Sequence, residues 1–190
     1  MMRIITGSAK GRKLLTLEGD ATRPTSERIK GAIFSSIQFE VENRRVLDLF
    51  AGSGQMGLEA LSRGAERAVF IDSSREAMEI VKKNAKSTGL FERSHFLVSD
   101  WKNYIRKAAG RERFDLVFID PPYSSECCVS AAEYLARCEL IIPGAIVVLE
   151  SGEEEIDISD ERLSGYELIK SQRYGKMTAV NILLYKGDGE

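Results

Sequence analysis

The sequence predicts an α/β fold: an open, mostly parallel sheet with crossover helices, closed at one edge by an antiparallel hairpin and preceded by a small N-terminal extension. Three observations predict it. From position 45 onward, short runs rich in Val, Ile, Leu and Phe alternate with segments of helical period, the pattern of parallel strands joined by crossover helices. Gly64, Gly89 and Gly110 stand where three of those helical segments stop, as left-handed helix ends favour. Two strand-like runs near the C-terminus, 166–173 and 179–185, flank the turn Tyr174-Gly175-Lys176-Met177-Thr178.

In the first 45 residues, runs at 3–5 and 12–15 can pair across Gly7 and Gly11. Ser26 suits the cap of a helix from 27 to about 39, which places Ile29, Ile33, Phe34 and Ile37 on one face. These pieces are too small to bury a core alone, so the expected organisation is a hairpin-and-helix extension over 1–40 on a sheet domain over 41–190. Within that domain strands are expected at 46–49, 68–71, 95–98, 116–119 and 145–149, with helices at 56–62, 76–87, 101–107 and 129–138.

At 190 residues and 43% hydrophobic composition, the chain can bury one substantial core. No window reaches the roughly 18 apolar residues of a membrane span, and the first residues lack a signal peptide's apolar stretch. The expectation is a cytoplasmic protein without membrane attachment. Cys127, Cys128 and Cys138 are odd in number and lack C-x-x-C spacing, which favours neither disulfides nor zinc; no metal is expected, and half-buried thiols on one helix are. His95 is the only histidine, so it has no partner for a triad or metal, and surface placement is expected.

The net charge of −2 conceals an uneven distribution. Residues 1–30 hold Arg3, Lys10, Arg12, Lys13, Arg23, Arg28 and Lys30 against only Glu18, Asp20 and Glu27, whereas Glu150 to Glu161 contains seven acids and no base. The N-terminal end is therefore the one suited to a polyanion such as RNA or DNA.

Two segments carry chemistry. The first, Val46-Leu47-Asp48-Leu49-Phe50-Ala51-Gly52-Ser53-Gly54-Gln55-Met56-Gly57, runs from a strand through a glycine loop into a helix. Ligands of open α/β sheets sit beyond the carboxyl ends of strands, so this turn is the expected cofactor site. Gly52, Gly54 and Gly57 also satisfy G-x-G-x-x-G, so a dinucleotide has to be weighed. Asp48, just before the loop, would repel a diphosphate but attract the ammonium of a methionine moiety. Asp72 ends the next strand, placed for two ribose hydroxyls, with Ser73 after it, and Asp100 ends the third, placed for an adenine amino group. Acids at three consecutive strand ends suit S-adenosylmethionine better than a dinucleotide, though aspartate also serves as an ordinary turn and cap residue. Trp101 follows Asp100 and can either cover the adenine or pack.

The second segment is Phe114-Asp115-Leu116-Val117-Phe118-Ile119-Asp120-Pro121-Pro122-Tyr123. An apolar strand delivers Asp120, and two prolines then stiffen the backbone, pre-positioning acceptors at little cost. The amino nitrogen of a guanine or adenine donates its lone pair into the ring and is a poor nucleophile until its hydrogens are drawn out of plane. Asp120 and the Pro121 carbonyl can hold those hydrogens, and they stabilise the charge that grows on nitrogen during methyl transfer. Tyr123 offers a stacking face for the base, and Pro122 keeps the turn rigid. A base inside a duplex cannot present its amine this way, which implies flipping or an unpaired nucleotide.

Asp-Pro-Pro-Tyr is the motif of amino-methyltransferases in general. Further pieces narrow the resemblance: Arg3-Ile4-Ile5-Thr6-Gly7 with Gly11-Arg12-Lys13-Leu14, Arg23-Pro24-Thr25-Ser26-Glu27-Arg28, and Asp48-Leu49-Phe50-Ala51-Gly52-Ser53-Gly54 followed by Gly57-Leu58-Glu59-Ala60-Leu61-Ser62-Arg63-Gly64-Ala65. Over about residues 3 to 185 the chain resembles the RsmD family, which methylates the N2 amine of one guanine in bacterial small-subunit (16S) ribosomal RNA. The resemblance implies a Rossmann-like class I methyltransferase fold, a mostly parallel seven-stranded sheet whose seventh strand is inserted antiparallel. It implies cofactor contacts from Asp48, Phe50, Ala51, Gly52, Ser53, Gly54, Asp72, Ser73, Asp100 and Trp101, and catalysis by Asp120, Pro121, Pro122 and Tyr123. It implies RNA contacts from Lys10, Arg12, Arg23, Thr25 and Arg28, and a ribosomal RNA substrate within an assembled or partly assembled small subunit. One departure is Gly31, where family members often carry an acid.

Three other readings share parts of this pattern. A DNA adenine-N6 methyltransferase would use the same tetrad and loop, but little of the chain is left for a domain that reads DNA sequence. A non-catalytic RNA-binding module of the same fold would not need Asp48, Asp72 and Asp120 intact. A small-molecule methyltransferase would not need the basic N-terminal segment.

Overall fold

The computed structural model describes residues 2–17, 27–122, 125–152, 156–176 and 178–187. Seven strands form one sheet in the order β3-β2-β1-β4-β5-β7-β6: β1 (Arg45–Asp48), β2 (Arg67–Asp72), β3 (Ser94–Val98), β4 (Phe114–Ile119), β5 (Ile141–Ser151), β6 (Tyr166–Tyr174) and β7 (Thr178–Tyr185). The helices are α1 (Glu27–Ser36), α2 (Gln55–Ser62), α3 (Arg75–Thr88), α4 (Trp101–Ala108) and α5 (Ser125–Arg137). The expected α/β class, with its antiparallel edge hairpin, is what the chain forms. Two compact units meet in sequence at Asp100 and Trp101. Among the described residues no helix is long and apolar enough to cross a membrane.

In the unit up to Asp100, β1, β2 and β3 pair in parallel. Their inward residues Val46, Leu47, Val69 and Ile71 form the core with Leu58 and Leu61 of α2 and Val81 and Ala85 of α3. Helix α3 owes its ends to local chemistry: the Ser74 hydroxyl accepts from the Ala77 N–H at 3.2 Å, and Gly89 closes it in the left-handed region at φ +74°. Helix α2 has no exposed face: all eight of its residues are buried, the polar Gln55, Glu59 and Ser62 among them, so those side chains need partners inside the protein. Its acid, Glu59, is fully buried and is the anchor of everything N-terminal to it.

That N-terminal segment is a narrow two-stranded arm. Ile4 N–H donates to the Arg12 carbonyl at 2.9 Å, Gly11 N–H to Ile4 at 2.9 Å and Leu14 N–H to Met2 at 2.9 Å, around a single antiparallel bridge between Arg3 and Lys13. Glu59 holds the first strand by accepting from the Ile5 and Thr6 N–H groups at 2.7 and 3.0 Å. Its carboxylate also accepts from Arg63 Nε at 2.9 Å and lies 3.4 Å from Lys30 Nζ of α1, and Lys30 donates to the Arg3 carbonyl at 2.7 Å. Ser62 adds a donation to the Thr6 carbonyl at 2.6 Å and accepts from Ala9 N–H at 3.0 Å. The extension thus packs within the same unit as residues 41–100.

Gly7 carries the closest approach of the arm to α2. Its φ is +87°, and a Cβ there would stand 1.8 Å from the Ser62 carbonyl oxygen. Gly7→Ala is therefore expected to undock the arm, with a loss of roughly 2–3 kcal/mol from strain and broken hydrogen bonds. Chemical denaturation would read that loss; a midpoint equal to wild type would show that the arm tolerates displacement.

In the unit from Trp101 on, β4 pairs in parallel with β5, and β7 runs antiparallel between β5 and β6. Three boundaries lie three residues or more from expectation. A strand is expected from 145, yet β5 begins at Ile141 and runs through the turn-forming pair Pro143-Gly144. The register against β4 moves from Phe114↔Ile141 to Leu116↔Ile146, so an irregularity centred on Gly144, at φ +88°, absorbs the turn inside the strand. Helix α5 begins at Ser125 rather than near 129, and α1 ends at Ser36, leaving Phe39 90% exposed. The expected cap at Ser26 lies outside the described residues. Arg162 bridges Glu126 of α5 (2.5 and 3.0 Å) and Asp160 (2.7 Å), and these bonds hold the Glu126 carboxyl below its ordinary range and Asp160 at about 2.

Candidate active site

The cofactor loop is built by backbone N–H groups that need acceptors. At the end of β1, the Asp48 carboxylate is buried and its Oδ2 accepts the Gly57 N–H at 2.9 Å. That N–H is one of the orphan donors at the start of α2, so Asp48 caps the helix from a neighbouring strand and places its charge at the positive helix end. Gly54, the residue before α2, has φ +76° and no side-chain cap. At the end of β2, Asp72 Oδ2 accepts the Gly52 N–H at 2.9 Å and Oδ1 the Ser74 N–H at 2.8 Å. The Ala51 N–H donates to the Ile71 carbonyl at 2.8 Å. The two aspartates expected at the cofactor thus first shape the loop.

Glycine is required in this loop for two reasons. A Cβ at Gly57 would lie 2.4 Å from Phe70 Cε1, and one at Gly54 2.7 Å from Val81 Cγ1, so both permit close packing of loop and helix. Gly52 differs: its φ is +52°, and among the described residues beyond its chain neighbours no atom lies within 4 Å of the Cβ position. The open face of the loop is over Gly52, beside the half-buried Asp72. A carboxylate offers about four lone-pair sites, so Asp72 keeps acceptor capacity after its two backbone bonds. Ser73 and Asp100 are exposed, Phe50 and Ser53 half-buried and Ala51 buried. The Ser99 N–H donates to the Asp72 carbonyl at 2.9 Å, bringing the end of β3 to the end of β2. Residues 48–54, Asp72, Ser73 and Asp100 are therefore gathered at the carboxyl ends of three neighbouring parallel strands.

The other unit, from Trp101 on, holds the remaining expected cofactor and catalytic residues. Trp101 opens α4 and meets Tyr134 of α5 edge-on, ring centroids 5.8 Å apart, with Lys102 Nζ 5.2 Å from its own ring centre. Of its two expected roles, packing is the one these contacts describe. Asp120 and Pro121 follow the last residue of β4 half-buried, and Pro122 is exposed; Tyr123 lies outside the described residues. Asp120 is close enough to the buried Cys128 that its charge, after burial and the adjoining Cys127, helps hold the thiol pKa above its ordinary value. Cys128 donates to the Glu150 carbonyl at 3.4 Å and is a protonated wall residue, not a nucleophile. Cys127 and Cys138 are half-buried and His95 is exposed, as expected.

Of the expected RNA contacts, Lys10 and Arg12 project exposed from the arm and Arg28 is exposed on α1; Arg23 and Thr25 lie outside the described residues. Gly31 sits on α1 with Ile5 Cδ1 3.8 Å from its Cβ position. Among the described residues no group of His, Cys, Asp or Glu is arranged to hold a metal ion. Sequence reasoning passed over Glu59, Ser62 and Asn84. For Glu59 a signal existed: an acid in the otherwise apolar run Leu58-Glu59-Ala60-Leu61 has to find partners once buried.

The family model described as Conserved hypothetical protein 95 matches residues 2–183. The chain belongs to this family. Relatives of the Conserved hypothetical protein 95 family member described here include "Putative rRNA methyltransferase YlbH" of Bacillus subtilis, 34% identical over 98% of this chain and 100% of that protein. "Ribosomal RNA small subunit methyltransferase D" of Haemophilus influenzae is 29% identical over 92% of this chain and 89% of its own. Among solved structures, the "Putative methyltransferase yhhF from Escherichia coli" superposes with a TM-score of 0.85 at 26% identity, covering 98% of this chain and 99% of that one. The likeness spans the arm, the glycine loop and the Asp-Pro-Pro segment of this family member alike.

Proposed function

We propose that this chain transfers a methyl group from S-adenosylmethionine to the exocyclic N2 amine of a guanine in small-subunit ribosomal RNA. Its relatives are named as ribosomal RNA methyltransferases over nearly their whole length, so it is an enzyme of that kind, with ribosomal RNA as the substrate class. The observation that carries the reading is the glycine loop with an open face over Gly52, flanked by Asp72, in a chain that also ends β4 in Asp120-Pro121-Pro122-Tyr123.

The residues present fit the cofactor. Among the described residues nothing beyond its chain neighbours stands within 4 Å of the Cβ position at Gly52, and the flanking groups are carboxylates rather than the bare amides that a diphosphate needs. Asp72 would accept the ribose hydroxyls, Asp100 would accept from the adenine amine, and the 50–54 backbone would line the methionine portion. Asp48 would act on the ammonium through the field of its buried charge, since one of its oxygens is committed to Gly57. When bound, the cofactor supplies an electrophilic methyl on a sulfonium. Asp120 and the Pro121 carbonyl would accept the two amine hydrogens, freeing the nitrogen lone pair, and Asp120 would take up the proton released as the new N–C bond forms. Tyr123 would stack on the base. Lys10, Arg12, Arg23, Thr25 and Arg28 would hold RNA phosphates, each basic contact adding to the salt dependence of binding.

A cytoplasmic ribosomal particle, assembled or partly assembled, is the expected setting. The test is mass mapping of ribosomal RNA from cells lacking the gene. Loss of one N2-methylguanine from the small-subunit RNA, restored by the purified protein acting on particles, is the expected result; an unchanged modification map would reject the reading. Purified chain that fails to bind S-adenosylmethionine would instead favour a non-catalytic RNA-binding module.

A further inference from the structure

Asn84 lies in the middle of α3 and is fully buried, an unusual place for an amide unless every polar atom has work. Its Oδ1 accepts the Leu15 N–H at 2.8 Å, and its Nδ2 donates both to the Leu15 carbonyl at 3.0 Å and to the Ser53 carbonyl at 2.9 Å. One side chain therefore pairs with the second strand of the arm as a β-strand neighbour would, while holding the centre of the glycine loop. The first strand of the arm reaches the same residue, since the Ser53 hydroxyl donates to Met2 Sδ at 3.2 Å.

At Leu15 itself burial contributes little, its side chain being 55% exposed beside the buried Leu14 and Met2. The backbone pairing with Asn84 is what fixes it. On the other side, Ser53 stands between Gly52 and Gly54, at φ +52° and +76°, a stretch of backbone with more freedom than its surroundings. Each part thus depends on the other through one amide: a loop free to leave Asn84 strands an Nδ2 donor in the interior, and an arm free to leave it strands both the donor and the Oδ1 acceptor.

We propose that Asn84 is a positioning residue that couples the cofactor loop to the N-terminal arm, so that binding of the cofactor and gripping of RNA by the arm reinforce each other. The proposal rests on the reading above that the loop takes the cofactor and the arm the RNA. An occupied loop holds the Ser53 carbonyl in place, which completes the Asn84 bonds and orders residues 2–17 with Lys10 and Arg12 at their tip. Reciprocity requires that RNA on the arm tighten cofactor binding by the same factor.

The experiment is amide hydrogen exchange on the full-length protein with and without S-adenosylhomocysteine, whose binding to the same samples is followed by calorimetry. In the wild type, saturation should slow exchange at Ile4, Gly11, Leu14 and Leu15 by about fivefold or more, within the usual range of site-to-site coupling. In Asn84→Ala the compound should still bind, but arm exchange should no longer respond to it. Asn84→Asp, which retains the acceptor for Leu15 N–H and loses the amide donor, should be uncoupled in the same way. A residue of merely structural importance would speed arm exchange equally with and without ligand. The coupling is overturned if the wild-type arm ignores bound ligand, or if the variants respond as the wild type does. Absence of any binding to the wild type would instead overturn the cofactor reading itself, and the coupling with it.

Discussion

Replacing Asp120 by alanine is expected to lower methyl transfer by at least about a thousandfold while leaving cofactor affinity nearly unchanged. The physical ground is the weakness of an arylamine as a nucleophile. Until its hydrogens are held by acceptors, the nitrogen lone pair stays in the ring, and the positive charge of the transition state has nothing to settle against. Removing one preorganised charge-stabilising group commonly costs 10²–10³-fold, and removing a general base about 10²–10⁴-fold. Asp120 is assigned both roles. Cofactor affinity should survive because the loop bonds named above are made by Asp48 and Asp72, within a unit of the chain that ends at Asp100. Asp120→Asn, which keeps one acceptor oxygen, should fall between alanine and wild type. Single-turnover methylation alongside calorimetry of S-adenosylhomocysteine separates the two effects, and a variant that turns over at the wild-type rate would move the chemistry away from β4.

The largest effect on stability is expected at Glu59. Its carboxylate accepts from Ile5 N–H, Thr6 N–H and Arg63 Nε and faces Lys30 Nζ, and the side chains of Glu59 and Lys30 are both shut off from solvent. Breaking a buried pair from one side leaves an uncompensated charge, at about 3–5 kcal/mol. In a chain of this size that corresponds to a fall in Tm of roughly 10 °C. Glu59→Ala should therefore unfold well below wild type in calorimetry and should free the arm to proteolysis.

The two partners are not equivalent. Glu59 retains three donors if Lys30 is lost, and hydrogen bonds to a carboxylate can support its charge. Lys30 is in the opposite position: burial dominates over the attraction of Glu59 and lowers its pKa from the ordinary 10.5. Lys30→Met, which conserves most of the volume, should thus cost clearly less than Glu59→Ala. A pH signature accompanies it. The unfolded chain binds the Lys30 proton more tightly than the folded one does, so wild-type stability should gain from this group as pH rises through the depressed value toward 10.5. Lys30→Met should lack that gain. Equal losses in the two single variants would mean that the pair acts as one unit.

Much of this was legible along the chain because it is local. Strand and helix alternation, the helix stops at Gly89 and Gly110, and the C-terminal hairpin follow from hydrophobic period and glycine conformation, which neighbouring residues decide. The motif residues Gly52, Gly54, Asp72 and Asp120 stand out along the chain for a related reason, since the ligand loop and the reacting acid proposed above need particular residue types at particular offsets. The early start of β5 at Ile141 was not legible, because a turn-forming pair such as Pro143-Gly144 can be absorbed as an irregularity inside a longer strand, and only pairing with β4 determines whether it is.

The sequence by itself determined the class of fold, singled out the two segments proposed above to carry chemistry, and showed which end of the chain is basic. Tertiary structure alone decided that Asp48 caps α2, that Asp72 holds the glycine loop through one oxygen and the turn into α3 through the other, and that Glu59, Ser62 and Asn84 fasten the arm. The reason is distance along the chain. Asn84 meets Leu15 across 69 positions and Glu59 meets Ile5 across 54, and a buried polar side chain declares its partner only when folding has removed the water that would otherwise have served.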